Sequence, residues 1–382
     1  MPDCRYFKKV TYMRILLLIL VLQLHISNYA QNENCWPSFR GNAHLTGETE
    51  ILLPENFQLL WKFETDDEIK SSPIFCDETV FIGSNDGYIY AIHQTGELRW
   101  KFDTETSVEA PPLFHKGIIY AGSLEGILFA LEAATGKLLW KYETDGQISG
   151  SAGVVNSSKS NSDIVLVGSY DFQLHGVNAQ TGDSVWKYES DNYINSAPAS
   201  DGKIAIFGGC DGHLHLVNVD NGKLKGKIQV GSYVAASAAM SENMAFVGDY
   251  DGGFQAIDLS TNQTIWKHEK AGEIIGSPAV SGNRVFIGTR SRNVLCFHRE
   301  SGEVLWRFRT TGKVESSPVA TKNKLIVTSL DGRIYILDKI NGQLHETIEV
   351  GSPIYSTPAI TGSFIIVGAN DGNVYCYGVS KK

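Results

Sequence analysis

Apolar residues alternate with polar or small ones in short runs along most of the chain, as in Tyr88-Ile89-Tyr90-Ala91-Ile92, His213-Leu214-His215-Leu216-Val217 and Arg333-Ile334-Tyr335-Ile336-Leu337. A period of two is the signature of strands with distinct faces, whereas an amphipathic helix would space its apolar residues three and four apart. The runs recur in a larger unit. Aligned on a residue that ends one strand of each copy, the unit gives Gly83, Gly122, Gly168, Gly208, Gly248, Gly288, Thr328 and Gly368, and the last five intervals are all 40 residues. The first interval is one residue shorter, and the second is lengthened by a polar insertion starting at Asn156. Eight copies at this period, written in strand grammar, predict a propeller.

Each unit reads as four short strands. In the first copy these are an inner strand around "SSPIF", a second at "TVFIGS", a hairpin through "NDG", a third at "YIYAI", a "TG" turn and an outer strand "ELRWKF". The Asp-Gly and Asn-Gly pairs supply the positive φ that a tight hairpin needs. The outer strands carry Trp61, Trp100, Trp140, Trp186, Trp266 and Trp306 at one shared position, with Gly226 and Glu346 in the two remaining slots. An indole at a fixed place in each sheet points to packing between neighbouring blades. The first copy is preceded by a spare outer strand, "QLLWKFE", while the last copy lacks one. The expected fold is therefore all-β: an eight-bladed β-propeller of four-stranded antiparallel blades, closed by an N-terminal strand that completes the last blade and removes the exposed edges. The expected division is a signal peptide over 1–30, a lead-in over 31–57 and one propeller over 58–379.

The leader expectation rests on Arg14 followed by the apolar run Ile15–Leu22 and a more polar stretch ending at Ala30. That run is shorter than the roughly 20 residues a spanning helix needs, so it reads as a cleaved export signal. The protein is then periplasmic, envelope-associated or secreted. A formal net charge of −9 argues against nucleic acid as a partner. Cys35, Cys76, Cys210, Cys296 and Cys376 are scattered singly, which suggests buried thiols rather than a zinc cage or a disulfide framework.

The unit, seen as "AIHQTGELRW", "ALEAATGKLLW" and "AIDLSTNQTIW", resembles the tryptophan-docking repeat of the PQQ-like quinoprotein propellers. The segment "WPSFRGNAHLTG", from Trp36 to Gly47, is similar to the W-x-x-FRG lead-in of exported bacterial members. The resemblance covers residues 36–379 and implies the fold. It implies one of two functions: a pyrroloquinoline quinone (PQQ) dehydrogenase with calcium, or a non-catalytic platform of the BamB-like kind that binds outer-membrane assembly components. The dehydrogenases of the group carry long insertions and a vicinal Cys-Cys pair; this chain has no Cys-Cys and almost no insertions. The expectation is a monomeric, non-catalytic binding platform with no catalytic residue, metal or cofactor. The competing functions are a minimal quinoprotein binding PQQ with calcium, and a secreted carbohydrate- or peptide-binding propeller.

Two series should ring one mouth of the central channel, because they enter the strand nearest the axis. One is Lys70, Glu109, Ser149, Asn195, Ala235, Ile275, Glu315 and Tyr355; the other, two positions earlier, is Glu68, Ser107, Gln147, Tyr193, Tyr233, Glu273, Lys313 and Pro353. Their polar, mixed-sign character with three tyrosines suits a small polar ligand. The sixth unit crowds Arg284, Arg290, Arg292, Arg299, Arg307 and Arg309 into an otherwise acidic chain, and Arg290, Arg292 and Arg299 are candidates for a rim that meets an acidic partner. His213 and His215 share one face of a strand and offer half of a metal site. The hairpin aspartates are expected to do turn chemistry.

Overall fold

The structure is a computed structural model that describes residues 35–157 and 162–379. The expected leader, residues 1–30, lies outside the described residues. Alternation does what it predicts: eight four-stranded antiparallel sheets form, with no helix among the described residues. Blade one contains Ile74–Cys76, Thr79–Gly83, Tyr88–His93 and Leu98–Asp103, ordered from the axis outward. Blades two to seven follow the same plan. Blade eight takes Ala359–Ile360, Phe364–Gly368 and Asn373–Gly378 from the C-terminal end and borrows Gln58–Glu64 as its outer strand. That pairing runs from Gln58 opposite Gly378 to Glu64 opposite Asn373, with a bulge between Leu59 and Trp61. The ring closes and the edge strands pair with each other.

The core lies between blades. Ile74, Phe81, Ile89 and Ala91 of blade one pack with Ile119, Ala121, Phe129 and Leu131 of blade two, and burying side chains of this size contributes about 1.5–3 kcal/mol each. The alignment glycines mark where this packing is tightest. A Cβ on Gly83 would collide with Val108, which enters from the next blade.

The tryptophans complete the seams. Trp61 Nε1 donates to Gln94 O at 2.7 Å, Trp100 to Ala133 O at 2.9 Å, Trp140 to Ala179 O at 3.2 Å, Trp186 to Val219 O at 2.9 Å and Trp266 to Arg299 O at 2.8 Å. Each acceptor lies in the following blade, where the "TG" glycine leaves room for the indole face; Trp306 packs on Gly342 in the same manner. The two exceptions also have a cause. Opposite Gly226 the turn glycine is replaced by Asn262, whose amide fills the space. Blade eight takes its outer strand from the N-terminal end and so has no such turn to receive an indole from blade seven. Glu346, in that slot, instead accepts a hydrogen bond from Phe57 N at 3.2 Å.

The lead-in is part of the fold. Its backbone crosses the end of the channel where the inner strands finish, and its carbonyls satisfy their inward N–H groups. Pro37 O accepts from Phe114 N at 2.7 Å, Ala43 O from Ser200 N at 2.8 Å, His44 O from Met240 N at 2.8 Å, Thr46 O from Val280 N at 2.9 Å and Gly47 O from Ala320 N at 2.8 Å. Trp36 O accepts from Phe75 N at 3.0 Å, and Trp36 N donates back to Phe75 O at 2.6 Å. Donors at the inner edge of a propeller would otherwise go unpaired, at a cost of about 1–3 kcal/mol each. The segment is also stapled: Cys35 and Cys76 form a disulfide. This corrects the expectation of buried thiols for those two cysteines, whose sequence separation of 41 concealed that the lead-in returns to the first inner strand. Cys296 and Cys376 are buried free thiols, and Cys210 is a half-buried one.

The Phe-Arg-Gly motif anchors the lead-in. Arg40, fully buried with φ 65°, donates to Pro318 O at 2.6 Å and Pro278 O at 2.8 Å. Burial without an anionic partner lowers its pKa to about 9. Gly41 has φ 80° and lies flat against the Trp36 ring, so a side chain there would displace the indole.

Candidate ligand site in the channel

The channel forms a cavity of about 230 Å³. Phe39, the first residue of the anchoring motif, lines it from the lead-in side. Above that floor lies a belt of hydroxyls contributed by the second residue of the motif that opens the inner strand in six of the blades, with Pro111 and Ala197 in the other two, and five of the hydroxyls are linked to the neighbouring blade. Each of these five accepts from a backbone N–H one blade back: Ser237 Oγ from Ala197 at 2.8 Å, Ser277 Oγ from Ser237 at 3.0 Å, Ser317 Oγ from Ser277 at 2.8 Å, Thr357 Oγ1 from Ser317 at 3.1 Å and Ser72 Oγ from Thr357 at 2.9 Å.

The next level up is the inner of the two residue series. Lys70, Glu109, Ser149, Asn195, Ala235, Ile275, Glu315 and Tyr355 all line the cavity. The second series stands at the rim, where Tyr193, Glu273, Lys313 and Gln147 are exposed and Glu68 and Tyr233 are half-buried. Between the two series one residue per blade is buried in the seam, among them Ile69, Val108, Ile148 and Ile194. Period-two geometry thus sends one residue into the core and its two neighbours to the channel.

A further rim position had no counterpart in the sequence reading. Two residues after each alignment position, the hairpin places Asn85, Leu124, Tyr170, Cys210, Tyr250, Arg290, Leu330 and Asn370, whose backbone N–H groups bond to the carbonyls of the rim series, as Tyr170 does to Gln147 and Arg290 to Glu273. The period of the repeat was the signal that would have found it. This position makes the mouth two-sided. On one side Lys70 Nζ meets Glu109 at 2.9 Å, and that hydrogen bond holds the ammonium pKa above its ordinary value, with Tyr355 close enough to reinforce it. Arg290 bonds Glu315 at 2.8 Å, Tyr250 Oη at 2.7 Å and Glu273 at 3.2 Å. On the other side the rings gather. Tyr193 stacks on Tyr170 with centroids 4.8 Å apart, Phe172 lies 5.0 Å from Tyr193, and Tyr233 meets Tyr250 edge-on at 5.9 Å. The Arg290–Tyr250 hydrogen bond joins the sides, and within the ring side Asn195 Nδ2 donates to Tyr233 Oη at 3.0 Å.

The arginines of blade six do not share a rim, which corrects that expectation. Arg290 belongs to the mouth. Arg292 is exposed on the hairpin, with φ 62° where most blades have glycine. Arg299 is buried at the lead-in end, paired with Glu242 at 2.9 Å and bonded to Ser241 O. Neighbours along a hairpin unit alternate between the two ends of a blade, so a cluster in sequence is not one in space.

The histidines serve the hairpin. His213 Nδ1 contacts Asp211 O at 2.8 Å, while buried His215 bonds the Asp211 carboxylate at 3.0 Å and Tyr188 Oη at 2.9 Å. Other blades repeat this with Asp86 and Tyr90, Asp171 and His175, Asp331 and Tyr335, and Asp371 and Tyr375. Each aspartate also accepts from the backbone two residues on, as Asp86 does from Tyr88. They are turn clamps.

Residues 148–382 match the family described as the beta-alanine-activating enzyme beta-propeller. No curated protein sequence matches the chain. Among solved structures, BamB from Moraxella catarrhalis is similar, with a TM-score of 0.73 at 19% identity over 85% of this chain and 100% of BamB. The quinohemoprotein alcohol dehydrogenase from Comamonas testosteroni gives a TM-score of 0.78 at 14% identity over 93% of this chain and 82% of that one. A computationally designed protein, Ika8, gives 0.72 at 20% identity, covering 84% of this chain and all of the design. At these identities the likeness is one of fold.

Glu109 and Glu315, the carboxylates that line the channel, are tied to Lys70 and Arg290. No group of three acidic, histidine or cysteine side chains converges among the described residues. Burial pushes the Cys210 thiol up, away from the reactive thiolate.

Proposed function

The chain belongs to the family of the beta-alanine-activating enzyme beta-propeller, and from that premise we propose that it acts as an exported, non-catalytic platform in the cell envelope. The observation that carries this reading is that the two carboxylates lining the cavity, Glu109 and Glu315, are each held by a neighbouring cation, which disfavours their use as a general base. The Cys35–Cys76 disulfide supports export, because such bonds persist in oxidising compartments. The likeness to BamB supports the envelope and a protein partner, with outer-membrane assembly components as the partner class. Stiff blades present their loops at little ordering cost, which suits docking.

The test is capture from envelope extract by the mature chain, with identification of what is bound. Recovery of outer-membrane assembly proteins, reduced by Arg292→Glu on the exposed hairpin, supports the platform. A PQQ titration with calcium that shifts the cofactor spectrum and yields dye-linked dehydrogenase activity would replace it with the quinoprotein reading.

A further inference from the structure

We infer that the open mouth of the channel binds a neutral saccharide, one pyranose ring entering the cavity and the next lying on the tyrosine side. Four observations meet there. First, the charges that line the cavity inside the rim are already paired, Lys70 with Glu109 and Glu315 with Arg290. A charged ligand would have to break a pair and leave a partly buried ion unmatched, which is expensive. A polyol breaks nothing, since its hydroxyls donate to the carboxylates and accept from the ammonium and guanidinium while both ion pairs remain.

Second, the cavity wall carries unused hydrogen-bonding capacity. Asn195 Oδ1 and Ser149 Oγ are enclosed and have no partner. With Asn195 Nδ2 committed to Tyr233, its oxygen is left as an unused acceptor within the wall of the cavity. Orphaned polar atoms of this kind cost stability unless something pairs with them.

Third, Tyr193 keeps 43% of its surface exposed although it stacks on Tyr170, and Phe172 beside it keeps 38%. A tyrosine ring braced from behind is a rigid apolar face, suited to the C–H face of a sugar ring. Fourth, about 230 Å³ falls below the roughly 300–1,000 Å³ of sites for drug-sized ligands, which restricts entry to a single ring. Calorimetry with free sugars and capture of proteins from extract read different events, so the two tests fail separately.

Titration calorimetry of the mature chain would use glucose, N-acetylglucosamine, cellobiose and maltotriose as neutral probes, with glucuronate and glucosamine as charged ones. At least one neutral probe is expected to bind with millimolar or better affinity, about −4 kcal/mol at 1 mM, and more tightly than either charged probe. Tyr193→Ala is expected to weaken it about tenfold or more without moving the melting midpoint, while Tyr193→Phe retains binding. Asn195→Ala is expected to weaken binding as well. No binding by any neutral probe at tens of millimolar, preference for a charged probe, or binding indifferent to Tyr193→Ala would each overturn the inference.

Discussion

The two ends of the channel are built from the same eight inner strands, yet they differ in what they leave unfinished. At the lead-in end the inward N–H groups of six blades are met by Trp36, Pro37, Ala43, His44, Thr46 and Gly47, a disulfide holds the segment in place, and Phe39 lines the cavity from that side. At the open end Tyr193 and Tyr250 keep exposed rings, while orphaned buried polar atoms occur at both ends, Asn195 Oδ1 and Ser149 Oγ here and Arg40 Nε and Arg299 Nε there. The open end is therefore the one to test for binding, and the closed end the one to test for stability.

The sharpest break in that comparison is Arg40→Ala. It leaves Pro278 O and Pro318 O without their donor beneath a fully buried site, and is expected to cost about 3–5 kcal/mol, set by two unpaired carbonyls and a cavity. Chemical denaturation measures it; an unchanged midpoint would show that the motif does not anchor the lead-in. Next comes the Cys35→Ser, Cys76→Ser double variant, expected to lose about 2–4 kcal/mol and to leave saccharide affinity intact. If calorimetry on that variant found affinity lost as well, the two ends would be coupled and the distinction between them would fall.

Acid should act on the open end first. Burial lowers the pKa of His215, so the folded state favours its neutral form, and the unfolded chain binds the proton more readily. Stability from this group is complete above the ordinary histidine value of about 6.5 and declines as pH falls below it. Asp331 follows at lower pH. Burial pushes its pKa up, but hydrogen bonds from Thr311, Tyr335, Ser329 and Gly312 outweigh burial and hold it below the usual carboxylate value. Its contribution is present above about 3.9 and is lost as pH falls through the depressed value. Hydrogen exchange at pH 7 and pH 5 should show the hairpin amides around Asp211 and His215 losing protection while those of the Trp36–Phe75 pairing hold. The smallest expected effect on stability is Tyr193→Ala, within about 0.5 kcal/mol, since the ring is largely exposed; a larger drop in melting midpoint would make Tyr193 a packing residue.

Much of the ring was legible because each piece of it is local or periodic. Alternation named the strands, the 40-residue interval named the blades, and the spare strand before the first unit named the closure. The inner series at Lys70 and Glu109 could be placed because it is separated from the rim series by one buried residue in every unit. Local patterns said nothing about the lead-in, whose residues bond successively to six blades and have no period of their own. They also misled at blade six, where Arg290 and Arg299 lie nine positions apart in the chain and at opposite ends of the blade.

Side-chain periodicity and the constant interval between copies were enough to read the number of blades, the strands within them and the role of the tryptophans between blades, because these are local or evenly repeated features. Only the tertiary structure decided that Cys35 meets Cys76, that Phe39 and Arg40 close one end, and that Arg290, Tyr250 and Tyr193 come together around the other. Those contacts join residues from different blades at irregular separations, and their geometry exists only once the ring has closed.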